Sequence, residues 1–196
     1  RVGTPGTIVL YLNPVAFLGG AERFLLDLLS RRDPDRLQAL LVCPEEGPLV
    51  ARARELGVEV RVLAMPRWAM KVGRESHFAN LLLQGPALIL HLAQGLRLAW
   101  MLRRRRIDLV HTNGNKAHLW GWTFRRLRKV RLVWHFHDFP SGPFGFLLKR
   151  LARGADALLP NSAAVAATLP PHPRVRIVHN GLDLARFTPE GPAHPL

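Results

Sequence analysis

The chain has 196 residues, 48% of them hydrophobic, enough for one large domain or two small ones with a real core. Lys and Arg outnumber Asp and Glu by 28 to 14, a formal charge of +14, and a field of that sign draws nucleic acid, anionic lipid head groups or phosphorylated small molecules without choosing among them. Cys43 is the single cysteine, which excludes an intrachain disulfide and a cysteine metal cluster and is compatible with a reducing compartment.

The opening residues, RVGTPGTIVLYLN, lack the basic, apolar and small-residue succession of a leader peptide, and the missing initiator Met suggests a trimmed end. Residues 7–13 read as a strand and 21–32 as a helix with Phe24, Leu25, Leu28 and Leu29 on one face. A strand is expected at 37–44, then a helix at 48–57 that opens on Pro48 and closes on Gly57, the usual punctuation. Further strands are expected at 58–66, 107–114, 130–138, 155–161 and 175–181. Between them fall a long helix within 81–106 and helices at about 116–128, 144–154 and 162–169, with 66–78 left as a loop. Runs such as ALLVC and LVWHF lack polar alternation, as strands buried on both faces do. The pattern predicts an α/β fold: a Rossmann-like parallel sheet of about seven strands with helices on both faces. The domain is expected to span 1–187, with the Pro- and Gly-rich 188–196 as a linker or the start of a further domain.

The segment LLLQGPALILHLAQGLRLAWMLRRRR, residues 81–106, is the most apolar of the chain. Gln84, Gly85, Pro86, His91, Gln94 and Arg97 interrupt it, so it reads as non-spanning. Two accounts fit it: a packed helix whose final arginines suit the helix dipole, or an amphipathic segment resting on anionic lipid with a basic edge.

Ligands of open parallel sheets bind at the carboxyl ends of the strands, and there this sequence gathers Asn13 and FLGGAERF, then HTNGNKAH, HFHDF, PNS and HNGLD. Gly19 and Gly20 directly precede a helix; without side chains they let an anion approach backbone N–H groups, although a structural turn explains the pair equally well. His135 and His137 lie two apart on a strand and share a face. They read as a hydrogen-bonded pair at the sheet edge, as a zinc pair with Asp138 as third ligand, or as a polar site that orients a ligand.

Taken together, GGAERFLLDLL, DLVHTNGNKAHLWG, VWHFHDF, PNSAAV and VHNGLDLARFTP resemble, in order and spacing from about residue 7 to 189, the N-terminal, acceptor-side domain of a retaining glycosyltransferase of the GT-B fold, family 4. The resemblance implies two Rossmann-like halves facing one cleft, in which the other half holds most of a nucleoside-diphosphate sugar. The donor-side signature, two glutamates with seven residues between them, does not occur in this chain. The resemblance therefore implies part of a hexosyltransferase-like enzyme that is inactive without a donor-binding C-terminal domain and that uses no resident cofactor or metal.

Carried over by position, His137 would orient a sugar hydroxyl and Gly19 and Gly20 would approach the donor phosphates. Asn113, Asn115 and Lys116 would face a sugar or lipid-linked acceptor. The loop PRWAMKVGRESHF departs most from the family pattern; Trp68 and Arg74 there would help select the acceptor, and an exposed variable loop explains the stretch equally well. Glu22, Asp138, Ser162 and Asn180 would complete the cleft. The expected partners are thus a nucleotide sugar, an acceptor, the missing domain and an anionic membrane surface, and the expected location is cytoplasmic or peripheral on the inner face of a membrane. A non-catalytic module that holds a glycan or phospholipid on the same rim is the alternative. Nucleic acid is not expected as a partner, since recognisable motifs are missing and aromatic residues do not interleave with the basic runs.

Overall fold

The structure is a computed structural model and describes residues 6–72 and 79–181, with side chains in the long helix from residue 83 onward. Six strands form one parallel sheet: β1 (Thr7–Leu12), β2 (Leu37–Cys43), β3 (Glu59–Val62), β4 (Leu109–Asn113), β5 (Arg131–Phe136) and β6 (Ala157–Pro160), in the order β3-β2-β1-β4-β5-β6. The helices are α1 (Gly20–Ser30), α2 (Pro48–Glu55), α3 (Arg67–Lys71), α4 (Ala79–Met101), α5 (Asn115–Arg128), α6 (Gly142–Ala152) and α7 (Ala163–Ala166).

The alternation of side chains along a strand divides the core in two. On β1, Leu10 and Leu12 face one way and join Leu40, Val42, Val110, Leu132, Trp134 and Leu158 beneath α4, α5 and α6. Val9 and Tyr11 face the other way, with Leu41 and Cys43, against Leu25 and Leu29 of α1 and Leu49, Val50 and Ala53 of α2. Both faces are therefore covered around the centre of the sheet, which is why these strands carry no polar alternation.

The chain winds outward from β1 through β2 to β3, returns across the sheet by α3 and α4, and winds outward again from β4. The strand order reverses between β1 and β4, whose register pairs Leu10 with Val110 and Leu12 with Thr112. Crossover connections leave these two neighbouring strands in opposite directions, and the gap between them at their carboxyl ends is the natural crevice of a doubly wound sheet.

The long apolar segment becomes α4, which runs on through Gly85 and Pro86. It packs against α5 at Gly95, where an added Cβ would lie 2.5 Å from Thr123 Cβ. Among the described residues, no helix is long and apolar enough to cross a membrane.

Two expectations change. The seventh strand, placed at 175–181, is reduced to one parallel bridge between Leu158 and Val175, with Val178 N donating to Pro160 O at 2.9 Å. β6 ends on Pro160, which has no N–H to return, so the ladder cannot continue. The loop at 66–78 contains α3, a single short turn around buried Ala69 that is too brief to leave a periodic signal. Its last carbonyls are held from outside: His91 Nε2 donates to Ala69 O at 3.3 Å, and Lys116 Nζ donates to Met70 O. Residues 188–196 lie outside the described residues.

Candidate functional site

At the carboxyl ends of β1, β4 and β5 lies a cleft of about 710 Å³, walled by the start of α1, the first turn of α5, the middle of α4 and the segment 137–144. Its floor is a chain of buried hydrogen bonds whose polarity the backbone fixes. Asn13 follows β1 and directs Nδ2 to the carbonyl of Val15 at 2.7 Å and to Glu22 Oε1 at 3.3 Å. Asn113 ends β4 and directs Nδ2 to the carbonyl of Ala21 at 3.3 Å and to Asn13 Oδ1 at 2.6 Å. Carbonyl oxygens only accept, so both amides have a single orientation. Asn113 Oδ1 therefore faces His137 Nε2 at 2.6 Å as an acceptor, and His137 must carry its proton on Nε2.

At the other end Glu22, only 5% exposed, accepts from Gly19 N at 3.0 Å. The run from Gly19 through Glu22, Asn13 and Asn113 to His137 thus bridges the point where strand order reverses. Its consequence for chemistry is specific. The imidazole proton of His137 is committed to Asn113, and Nδ1, buried and without a partner, is left with an acceptor lone pair.

His137 does not stand alone. Its ring stacks on His135 with centroids 4.1 Å apart, and His135 lies near His111, with Nδ1 to Nε2 at 3.3 Å. Phe24 of α1 meets His135 edge-on at 4.9 Å. Burial drives these groups toward the neutral form: His111 and His137 are pushed down to about 4 and His135 to about 2, with neighbouring imidazoles adding to the effect for His111 and His135. For His137, burial outweighs the opposing charge of Asp138. The site presents uncharged imidazoles at neutral pH, suited to hydroxyl groups more than to anions. Among the described residues no group of three or more His, Cys, Asp or Glu side chains is arranged to hold a metal ion.

The start of α1, at the rim of the cleft, carries the partial positive charge of a helix N-terminus. Its N-cap is Gly19, which has no side-chain oxygen to cover the first-turn amides. An added Cβ at Gly19 would lie 2.7 Å from Glu22 Oε2, whereas the space beside Gly20 is open. The two glycines have different duties: Gly19 makes room for the Glu22 carboxylate, and Gly20, exposed at the rim, offers backbone.

Of the residues singled out from the sequence, Glu22, Asn113, Asn115, Lys116, His137 and Asp138 line the cleft. Gly19 and Gly20 sit at its edge, next to Ala21 of the wall. Trp68 is 42% exposed on α3 and is not part of the lining; Met70 and Val72 take that place. Arg74 lies outside the described residues. Ser162 caps α7 by accepting from Val165 N at 3.2 Å and is not in the lining, while its neighbour Asn161 holds the His137 carbonyl at 3.1 Å. Asn180 is exposed and away from the wall. Lys116 reaches across to the Met70 carbonyl.

Sequence reasoning had no role for His91, Gln84 or Phe144, which also line the cleft. His91 accepts from Trp120 Nε1 at 2.8 Å, and burial pushes it down to about 4. The only signal was a lone polar residue in an apolar helix, which core packing explains as readily.

A sequence profile for Glycosyltransferase Family 4 matches residues 18–186. The chain belongs to this family. No curated protein matches it. Similar solved structures include the Anabaena HepE protein in complex with UDP and glucose, 21% identical with a TM-score of 0.68, where the match covers 92% of this chain and 47% of that one. A glycosyltransferase from Rickettsia africae is 14% identical with a TM-score of 0.67, covering 95% of this chain and 48% of that one. The lipopolysaccharide outer core galactosyltransferase WaaB, in its apo form, is 12% identical with a TM-score of 0.63, covering 91% and 47%. At these identities the likeness is one of fold. The chain spans about half the length of these proteins, and its sheet corresponds to one Rossmann-like half of a GT-B fold.

Proposed function

We propose that this domain is the acceptor-side half of a retaining glycosyltransferase that moves a sugar from a nucleoside-diphosphate sugar to a hydroxyl-bearing acceptor, and that it transfers little or nothing without a donor-binding half. The observation that carries the reading is the hydrogen-bonded run from Gly19 to His137 across the reversal of strand order, which sets an uncharged imidazole and an uncapped helix start on one cleft. HepE is solved with UDP-glucose, which supports a nucleotide sugar as the partner.

In this reading His137 Nδ1, buried in the isolated half, is turned to face the ligand when the second half closes the cleft, and accepts there from a sugar hydroxyl. Gly20 and the first amides of α1 meet the donor diphosphate and stabilise part of the charge that develops as it leaves. Asn115 and the Lys116 stem border the acceptor. No resident cofactor is needed, because the remaining charge on the leaving diphosphate would be met by cations of the donor half.

The test is sugar transfer by the full-length protein and its His137→Ala variant. Loss of one buried hydrogen bond to the reacting sugar should lower kcat/KM by about 10- to 100-fold. Turnover equal to wild type would remove His137 from the site. Saturable glycan binding with no transfer by the full-length protein would replace the enzyme with a binding module.

A further inference from the structure

α4 is apolar on more of its surface than the core requires. Ala87, Leu88 and His91 turn toward the cleft, and Leu98 and Ala99 are buried. On the opposite side Ile89 is 66% exposed, Leu96 51% and Trp100 69%. These three recur at helical spacing along one stripe, about 16 Å long at 1.5 Å per residue. A surface helix of a globular protein ordinarily gives that side to polar residues, so an outward apolar stripe marks an interaction surface.

The stripe has a basic border. Arg103 lies over the Trp100 ring at 4.5 Å and donates to the Trp100 carbonyl at 3.1 Å. Among the described residues, Arg97 donates to the neutral oxygens of Ala64 and Gln94. Arg105 and Arg106 are paired with Glu59 and Asp108, whereas Arg103 and Arg104 have no carboxylate partner among the described residues. A tryptophan between an apolar stripe and unpaired guanidinium groups suits the boundary between acyl chains and anionic head groups. The +14 charge of the chain has the matching sign.

We propose that the outer face of α4 docks in the plane of an anionic lipid surface, with Ile89, Leu96 and Trp100 entering the head-group boundary and Arg97, Arg103 and Arg104 holding lipid phosphates. Because the same helix lines the cleft with its other side, docking places the cleft about one helix diameter, roughly 10 Å, above the lipid. Combined with the transfer reading above, on which this step rests, that position favours an acceptor carried on a lipid.

The experiment uses the chain itself with vesicles of phosphatidylcholine alone or mixed with phosphatidylglycerol, read by co-sedimentation and tryptophan fluorescence. Binding is expected only to the mixed vesicles, with a blue shift, and should weaken as salt is raised. Trp100→Glu or Ile89→Glu should weaken it at least 10-fold, and Arg103→Gln or Arg104→Gln roughly fivefold each. Phe146→Glu, at a residue 64% exposed on α6, should leave it unchanged. All these sites are at the surface, and circular dichroism checks that each variant folds.

No binding to anionic vesicles at low salt, equal binding to neutral ones, or wild-type binding by Trp100→Glu would overturn the proposal. So would a dimer in solution that Trp100→Glu converts to monomer, since the stripe would then belong to a second copy. None of these readouts involves sugar transfer, so their failure leaves the cleft reading standing, and failure of transfer leaves the lipid surface standing.

Discussion

Asn113 is the residue on which the site turns, and its replacement by alanine tests the bonding scheme directly. The side chain is 1% exposed and makes contacts at 2.6 Å to both Asn13 Oδ1 and His137 Nε2, with a longer one to the Ala21 carbonyl. Ala21 O keeps its place in the helical ladder of α1, so two groups are stranded, the Asn13 oxygen and the His137 N–H. A buried polar group without a partner costs about 1–3 kcal/mol, and water entering from the cleft recovers part of this. The expected loss is about 2–4 kcal/mol in the free energy of unfolding, measured by urea denaturation at neutral pH. Asn115, the first residue of α5 and part of the same wall, supplies the control. Its Oδ1 is buried with no partner, so Asn115→Ala should be neutral within about 0.5 kcal/mol or stabilising. Nitrogen NMR adds an independent reading: wild-type His137 should carry its proton on Nε2, and Asn113→Ala should release the other tautomer. Equal stabilities for the two alanine variants, or a wild-type His137 protonated on Nδ1, would refute the scheme.

The buried histidines should make the fold sensitive to acid. Burial lowers His91, His111 and His137 from an ordinary 6.5 to about 4. Between those values the unfolded chain binds more protons than the folded one, so stability is full above pH 6.5 and is lost as pH falls toward 4. Each such histidine contributes up to about 1.4 kcal/mol per pH unit; a urea midpoint that stays flat from pH 7 to 5 would contradict this, and His91→Gln should flatten the slope by about one proton. At the start of α1, Gly20→Ala should fold at least as stably as wild type because the space beside it is open, yet reduce nucleotide-sugar affinity of the full-length protein. Gly19→Ala should lose about 1–3 kcal/mol of stability by driving Glu22 from its place, so equal melting curves for the two variants would remove the division of labour. Gly95→Ala, with a Cβ 2.5 Å from Thr123, should force α4 from α5 at a cost of about 1–3 kcal/mol or more; an unchanged melting temperature would mean that the helices do not meet so closely.

The sequence by itself determined the parallel sheet and the rim. Strands between two helical layers must be apolar on both faces, so ALLVC and LVWHF announce themselves in one dimension, and the carboxyl ends of such strands are where polar loops can survive. Asn113, Asn115, His137 and Glu22 were therefore within reach. What only the tertiary structure decided is how those residues bond. The orientation of Asn113 depends on carbonyls at Val15 and Ala21, about a hundred residues away in sequence, and on Asn13 brought beside it by the β1–β4 pairing. No local pattern encodes a hydrogen-bond direction set across that distance. Ser162 shows the same limit in reverse: its position after a strand fits a cleft residue, and the helix that starts beside it takes its oxygen as a cap. α4 repeats the lesson, because apolar spacing says that a helix forms, whereas which of its sides meets the core, the cleft or the outside is settled by the elements packed around it.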